Sequence, residues 1–205
     1  MAEPGPELLH SIMIAAPIEK VWAEITELDG KQRAMMDAVL DSTLEPGAPL
    51  YYRSADGKRV FVVGRVVEVA SPRLLSHTQR LTMRDDPWTV VSWELEEVDG
   101  GTRVTLRNSG WPEGVKRLDK VDATWKGILA ALKQVVEDGD VGTGLKFQYA
   151  MMRAYMWAMP SGTKTENVSE PPGIGRRLKR ETCFCNNSFD DDVKRVVAKQ
   201  QVKGG

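Results

Sequence analysis

His10 and His77 are the only imidazoles in a chain of 205 residues, and each sits in an alternating stretch, "LLHSIMI" and "LLSHTQRL". A single histidine on a strand more often satisfies a structural hydrogen bond than transfers a proton. If His77 points inward beside Gln79, the pair could orient a carbonyl or hydroxyl of an otherwise apolar ligand, the usual task of the few polar groups in such a pocket. The acidic group Glu94, Glu96, Glu97 and Asp99 has the composition of an acid/base pair. Alternation, however, places Glu94 and Glu96 on an outer face opposite Arg103 and Arg107 of the next strand, where cross-strand ion pairing is the simpler reading. Cys183 and Cys185 supply two thiolates with no histidine nearby, whereas structural zinc wants four ligands. "GIGRR" lacks both the Lys-Ser/Thr and the preceding strand of a phosphate loop. G-x-S-x-G and H-E-x-x-H do not occur. The residues therefore name no catalytic constellation, no metal and no cofactor, and they lean away from an enzyme.

The totals agree with a soluble globular chain. The sequence is 41% hydrophobic and 28% charged with a net charge of -1, without the basic excess of a nucleic-acid binder. The two cysteines lie near the C-terminus, so no disulfide framework is expected in the body. "MAEPGPELLH" is not a basic segment followed by an apolar run, and no stretch reaches the ~20 apolar residues of a membrane span. The expected setting is cytoplasmic.

The elements that must position these residues follow from periodicity. Leu8, His10, Ile12 and Ile14 alternate as a half-buried first strand. In "APIEKVWAEITEL", Pro17 opens a helix whose Ile18, Val21, Trp22 and Ile25 share one face. "KQRAMMDAVL" suggests a short second helix running into a strand near Val39 to Leu44. From Glu45 to Asn108 strand runs alternate with turn signals, among them Asp56-Gly57, giving an antiparallel meander with one wet face. The last element of the body contains "TWKGILAALKQVVEDG". Val121, Trp125, Ile128, Leu129, Leu132, Val135 and Val136 occupy an arc of roughly 120° on this helix, and Gly139 follows where a terminating glycine belongs.

Such a sheet must cover one face, and this helix is the only element long enough to do so. The expected fold is α+β: a curved antiparallel sheet of about six or seven strands around a long C-terminal helix, with two shorter N-terminal helices. Residues 1–140 form this body, and 141–160 form a further helix rich in Met and aromatic residues. Residues 161–205, with nine Lys/Arg against six Asp/Glu and many Pro and Gly, are expected to be a disordered polar tail.

"APIEKVWAEITELDG", "GRVVEVASPRLL", "GGTRVTLRNSGWPEG" and "TWKGILAALKQVVEDG" occur in the order and spacing of the START-like (SRPBCC) superfamily. They most resemble its branch related to the activator of heat-shock protein 90 ATPase. The resemblance spans about residues 7–139 and implies a helix-grip fold enclosing an apolar cavity, with a link to the stress response. His77 and Gln79 stand where relatives often carry aromatic residues.

Fold does not settle function in this superfamily. The leading expectation is a non-catalytic carrier for a hydrophobic or aromatic small molecule. Its cavity would be lined by Val67, His77, Gln79, Val91, Trp93, Leu106, Trp125, Leu129 and Leu132, with Met35 and Met36 near the entrance. Trp93 and Trp125, both inward, either fill the space or frame a slot. An interior without a cavity would argue against this reading. The alternative is a protein-interaction module, co-chaperone-like or homodimeric, using the exposed sheet face or the Met-rich helix. A cyclase-like enzyme acting by shape alone ranks third.

Overall fold

The computed structural model describes residues 5–28 and 30–173. Its strands are β1 (Leu8–Ile14), β2 (Lys31–Gln32), β3 (Ala38–Asp41), β4 (Pro49–Arg53), β5 (Val60–Ala70), β6 (Leu74–Leu81), β7 (Thr89–Val98) and β8 (Gly101–Ser109). The helices are α1 (Ile18–Ile25), α2 (Leu118–Asp138) and α3 (Thr143–Ala154). All strands pair antiparallel in one eight-stranded sheet of order β1-β8-β7-β6-β5-β4-β3-β2. Helix α2 touches β1 at one end of that order and the turn beside β2 and β3 at the other. A flat sheet could not bring both ends to one helix, so the sheet curls around it, as a helix-grip fold requires.

Among the described residues the count is eight strands rather than six or seven. The difference arises around residues 31–41, where a second N-terminal helix was expected. The chain instead forms the two-residue β2, one 3-10 turn over Arg33–Met35 and the short β3. Gln32 explains the departure: its buried side-chain amide donates to the carbonyls of Ile25 and Glu27, 3.1 Å each, holding an extended residue against the end of α1. Helix propagation then stops at Met36 and Asp37, whose φ values of 60° and 59° lie in the left-handed region.

Helix α1 buries Ile18, Val21 and Ile25 as its spacing predicts. Helix α2 buries Trp125, Ile128, Leu129, Ala131, Leu132, Val135 and Val136. Each large apolar side chain so covered contributes about 2 kcal/mol of transfer free energy. Gly139 ends α2 at φ 84°, its N–H donating to the Val135 carbonyl. The outer charges pair as expected: Arg103 bonds Glu96 at 2.6 Å, and Arg107 approaches Glu94 at 3.5 Å and Glu7 at 3.0 Å. The convex face is less wet than alternation suggests, since Ser76, Thr78, Val90 and Ser92 are all buried on it.

The tail expected from residue 161 differs as well. Residues 161–173 contain two 3-10 turns and run back along β5, where Lys164 bridges Arg59. The rest of that tail, with Cys183 and Cys185, lies outside the described residues. Among the described residues, no helix is long and apolar enough to cross a membrane.

Candidate functional site: a filled grip and an apolar ridge

The strand parity that sends Leu75 and His77 of β6, and Val91, Trp93 and Leu95 of β7, toward α2 brings most of the expected lining together. Val91, Trp93, Leu106, Trp125, Leu129 and Leu132 belong to one buried cluster. Trp93 and Trp125 meet edge to face, ring centroids 6.1 Å apart and planes at 84°, a geometry that attracts beyond area burial. They fill the grip. Asn108, wholly buried on β8, locks this filling: its carbonyl accepts from the indole N–H of both Trp111, at 3.0 Å, and Trp125, at 3.1 Å. Its amide donates to the Val90 carbonyl at 3.1 Å. An amide oxygen carries two lone pairs, so one side chain satisfies two buried indoles. The expected site residues did not include Asn108, although two inward tryptophans imply an acceptor nearby.

His77 lies in the same interior, 1% exposed, with Nδ1 3.0 Å from the Thr78 carbonyl and its ring 6.4 Å from that of Tyr52. Burial pushes its pKa down to about 4, so it is neutral at physiological pH. Gln79, two residues on, is only half-buried. Val67 is the extra residue of a β-bulge, because Val66 pairs with His77 and Glu68 with Ser76. Buried Val66 packs with Leu40, Leu50 and Tyr52, while Val67 is half-buried. Met35 packs on both apolar clusters, whereas Met36 is exposed.

Between α1, the 32–35 turn, β4 and α2 lies a cavity of about 10 Å3, room for roughly one water. Glu24, Gln32, Tyr52, Trp93 and Leu132 line it. Among the described residues, one oxygen of Glu24 and the side-chain oxygen of Gln32 find no hydrogen-bond partner. Burial raises the Glu24 pKa, opposed by the Ala34 N–H and the Arg33 charge. His10 lies apart from this space, 3.1 Å from Asp122 near the start of α2.

The exposed apolar surface is elsewhere. Helix α3 turns Tyr149 into the core, 4% exposed, and Leu145 packs beside it. The opposite side carries Phe147, Met151 and the capping Tyr155, spaced i, i+4 and i+8, with exposures of 69%, 41% and 59%, and Met152, on the flank nearer Leu145, is 37% exposed. Trp157, in the 3-10 turn after the helix, is 79% exposed. It borders an open groove of about 730 Å3 rimmed by Asp56, Lys58, Arg59, Lys164 and Glu166. The ridge is held in place by Arg153, which pairs with Asp37, and by Lys146, which pairs with Asp140.

A curled antiparallel sheet gripping one long helix defines the class: a START-like α+β domain. The family model described as "Activator of Hsp90 ATPase homolog 1-like protein" matches residues 15–137, more than half of the chain, and the chain belongs to that family. Its fold is similar to that of DynU16 from the dynemicin biosynthetic locus, at 20% identity and a TM-score of 0.57 over 67% of this chain and 49% of that one. This chain thus spans about half the length of that protein. A protein from Mesorhizobium loti matches at 20% identity and TM-score 0.55, over 66% of this chain and 100% of that one. The Aha1 dimer from Colwellia psychrerythraea matches at 22% identity and TM-score 0.52, over 64% and 96%. No curated protein matches the sequence. Helix α3 and its ridge lie beyond the family match.

Proposed function

We propose that this chain is a non-catalytic protein-interaction module of co-chaperone type, which engages a protein partner through the ridge Phe147, Met151, Met152, Tyr155 and Trp157. The observation that carries this reading is the contrast between a filled interior and an exposed apolar ridge. A drug-sized ligand needs a cavity of roughly 300 Å3 or more. The cavity that reaches Trp93 and Leu132 is about 10 Å3, so the carrier reading and the cyclase reading have less support than the interaction reading. Large aromatic side chains dominate binding energy at protein interfaces, and methionines adapt to irregular partner surfaces. Five such side chains at 37% exposure or more, spread over the exposed side of α3 and the turn that follows it, cost solubility unless something covers them. Family membership supports Hsp90 as the partner class, with stimulation of its ATPase as the activity.

The test is binding of the full chain to Hsp90, with the steady-state ATPase rate as second readout. Binding and stimulation are expected, and Phe147→Ser with Trp157→Ser should weaken both at least tenfold while leaving the thermal melt in place. Undiminished stimulation by that double variant would refute the ridge as the contact. Sedimentation of the free chain separates self-association through the same ridge.

A further inference from the structure

Two arginines of the β5 region hold the segment after α3 in a manner that a surface tail does not need. Arg59 donates through Nη1 to the carbonyls of Met159 and Pro160, both at 3.2 Å, and to Thr163 Oγ1 at 2.6 Å. Thr165 donates its N–H to the Lys58 carbonyl at 3.1 Å and its hydroxyl to the Gly57 carbonyl at 2.6 Å. Further on, Arg65 spends its whole guanidinium on one short motif and its support. Nη2 donates to Glu170 Oε1 at 2.8 Å and to the Pro171 carbonyl at 2.6 Å, Nε donates to the Pro172 carbonyl at 3.1 Å, and Nη1 holds the Gly47 carbonyl. The Arg65 side chain is only 12% exposed, and Pro171 is buried.

This is recognition of a peptide by its chemistry. Consecutive prolines are preset to an extended conformation whose carbonyls have no internal hydrogen bonds and are free to accept. A planar guanidinium offers five donors in a fixed fork, suited to one carboxylate and two successive carbonyls; lysine has no such geometry. Arg65 is pre-positioned from below, because its backbone N–H donates to Thr78 Oγ1 at 3.0 Å and its Nη1 donates to the Gly47 carbonyl. The site is thus built into the sheet rather than created by the tail.

We infer that the Arg65 face of β5 is a binding site for peptides carrying a carboxylate followed by two prolines, occupied in this chain by its own Glu170-Pro171-Pro172. The strap is an internal competitor. A tethered ligand meets its site at a local concentration in the millimolar range, so an outside peptide of equal affinity is held off until the strap is weakened or outcompeted. The site lies on β5, does not use the α3 ridge, and stands or falls separately from the co-chaperone reading.

The experiment uses the full chain and a fluorescent peptide with the sequence of residues 167–174, read by anisotropy. Glu170→Ala with Pro171→Ala in the full chain removes the internal carboxylate and the buried proline while leaving Arg65 intact. That variant should bind the peptide at least tenfold more tightly than the unaltered chain. Adding Arg65→Lys, which keeps the charge and removes the fork, should reverse the gain, and a peptide with Lys in place of Glu should bind neither form. Thermal melts confirm that each variant is folded. Peptide affinity that is unchanged by weakening the strap, or that survives Arg65→Lys, overturns the inference.

Discussion

Asn108→Leu tests whether the grip is a specified core or an open slot. The substitution roughly preserves side-chain bulk and removes three buried hydrogen bonds, two from the indoles of Trp111 and Trp125 and one to the Val90 carbonyl. Trp125 is 5% exposed and Trp111 7%, so neither stranded N–H can turn to water without opening the core. Leaving a buried donor unsatisfied costs about 1–3 kcal/mol. Taking the lower half of that range for each of the two indoles, and about 1 kcal/mol for the lost carbonyl bond, gives a destabilisation of roughly 3–5 kcal/mol. Domains of this kind have about 5–15 kcal/mol in total, so the loss would be a large fraction. Urea unfolding followed by tryptophan fluorescence measures it. With a slope of about 2 kcal/mol/M, unchanged if the denatured state is unaffected, the midpoint should fall by roughly 1.5–2.5 M. A loss below about 1 kcal/mol would mean that water already reaches the indoles, and the filled-core account would fail.

Three further outcomes follow from named groups. His77 has a folded-state pKa near 4 against about 6.5 unfolded, so between those values the unfolded chain binds more protons. Stability from this group is therefore fully present above pH 6.5 and lost as pH falls toward 4, by roughly 3 kcal/mol over the window; His77→Gln should flatten that stretch of a stability-against-pH curve. Burial of Glu24 acts in the opposite direction, since its raised pKa favours the folded state on acidification, and the His77→Gln difference isolates the histidine. Gly64→Ala places a Cβ 1.9 Å from the Thr78 carbonyl oxygen, a backbone atom that cannot yield without parting β5 from β6. The expected cost is about 3 kcal/mol by chemical denaturation, and an unchanged melt would show that the strands separate freely there. Met36→Gly relieves a left-handed non-glycine residue on an exposed side chain and should stabilise by up to about 1 kcal/mol.

Much of this architecture was legible because it rests on periodicity. Ile18, Val21 and Ile25 and the apolar arc of α2 repeat every 3.6 residues, and Trp93 and Leu106 alternate every two, so the gripped helix and its inward strand residues could be read directly. The 31–41 region could not, because its conformation depends on Gln32 reaching back to carbonyls five and seven residues away. The half-burial of Val67 beside the fully buried Val66 was not legible for a related reason: a β-bulge shifts parity locally, and nothing in "GRVVEVA" marks it. Whether the grip held a void was beyond pattern reading. That depended on the angle between two indole planes and on a shared amide, both set by tertiary packing. The ordering of residues 161–173 was hidden because low hydrophobicity reads as disorder, while the segment is held by polar bonds from Arg59 and Arg65.

The central claim is that the outward ridge, not the interior, is the working surface. Backbone hydrogen exchange of the full chain, with and without the chaperone ATPase proposed as partner, tests it most directly. The account predicts new protection confined to residues 143–158, with α2 and β7 unchanged. Protection that leaves that segment untouched and appears instead around Trp93, Trp125 and Leu129 would contradict it.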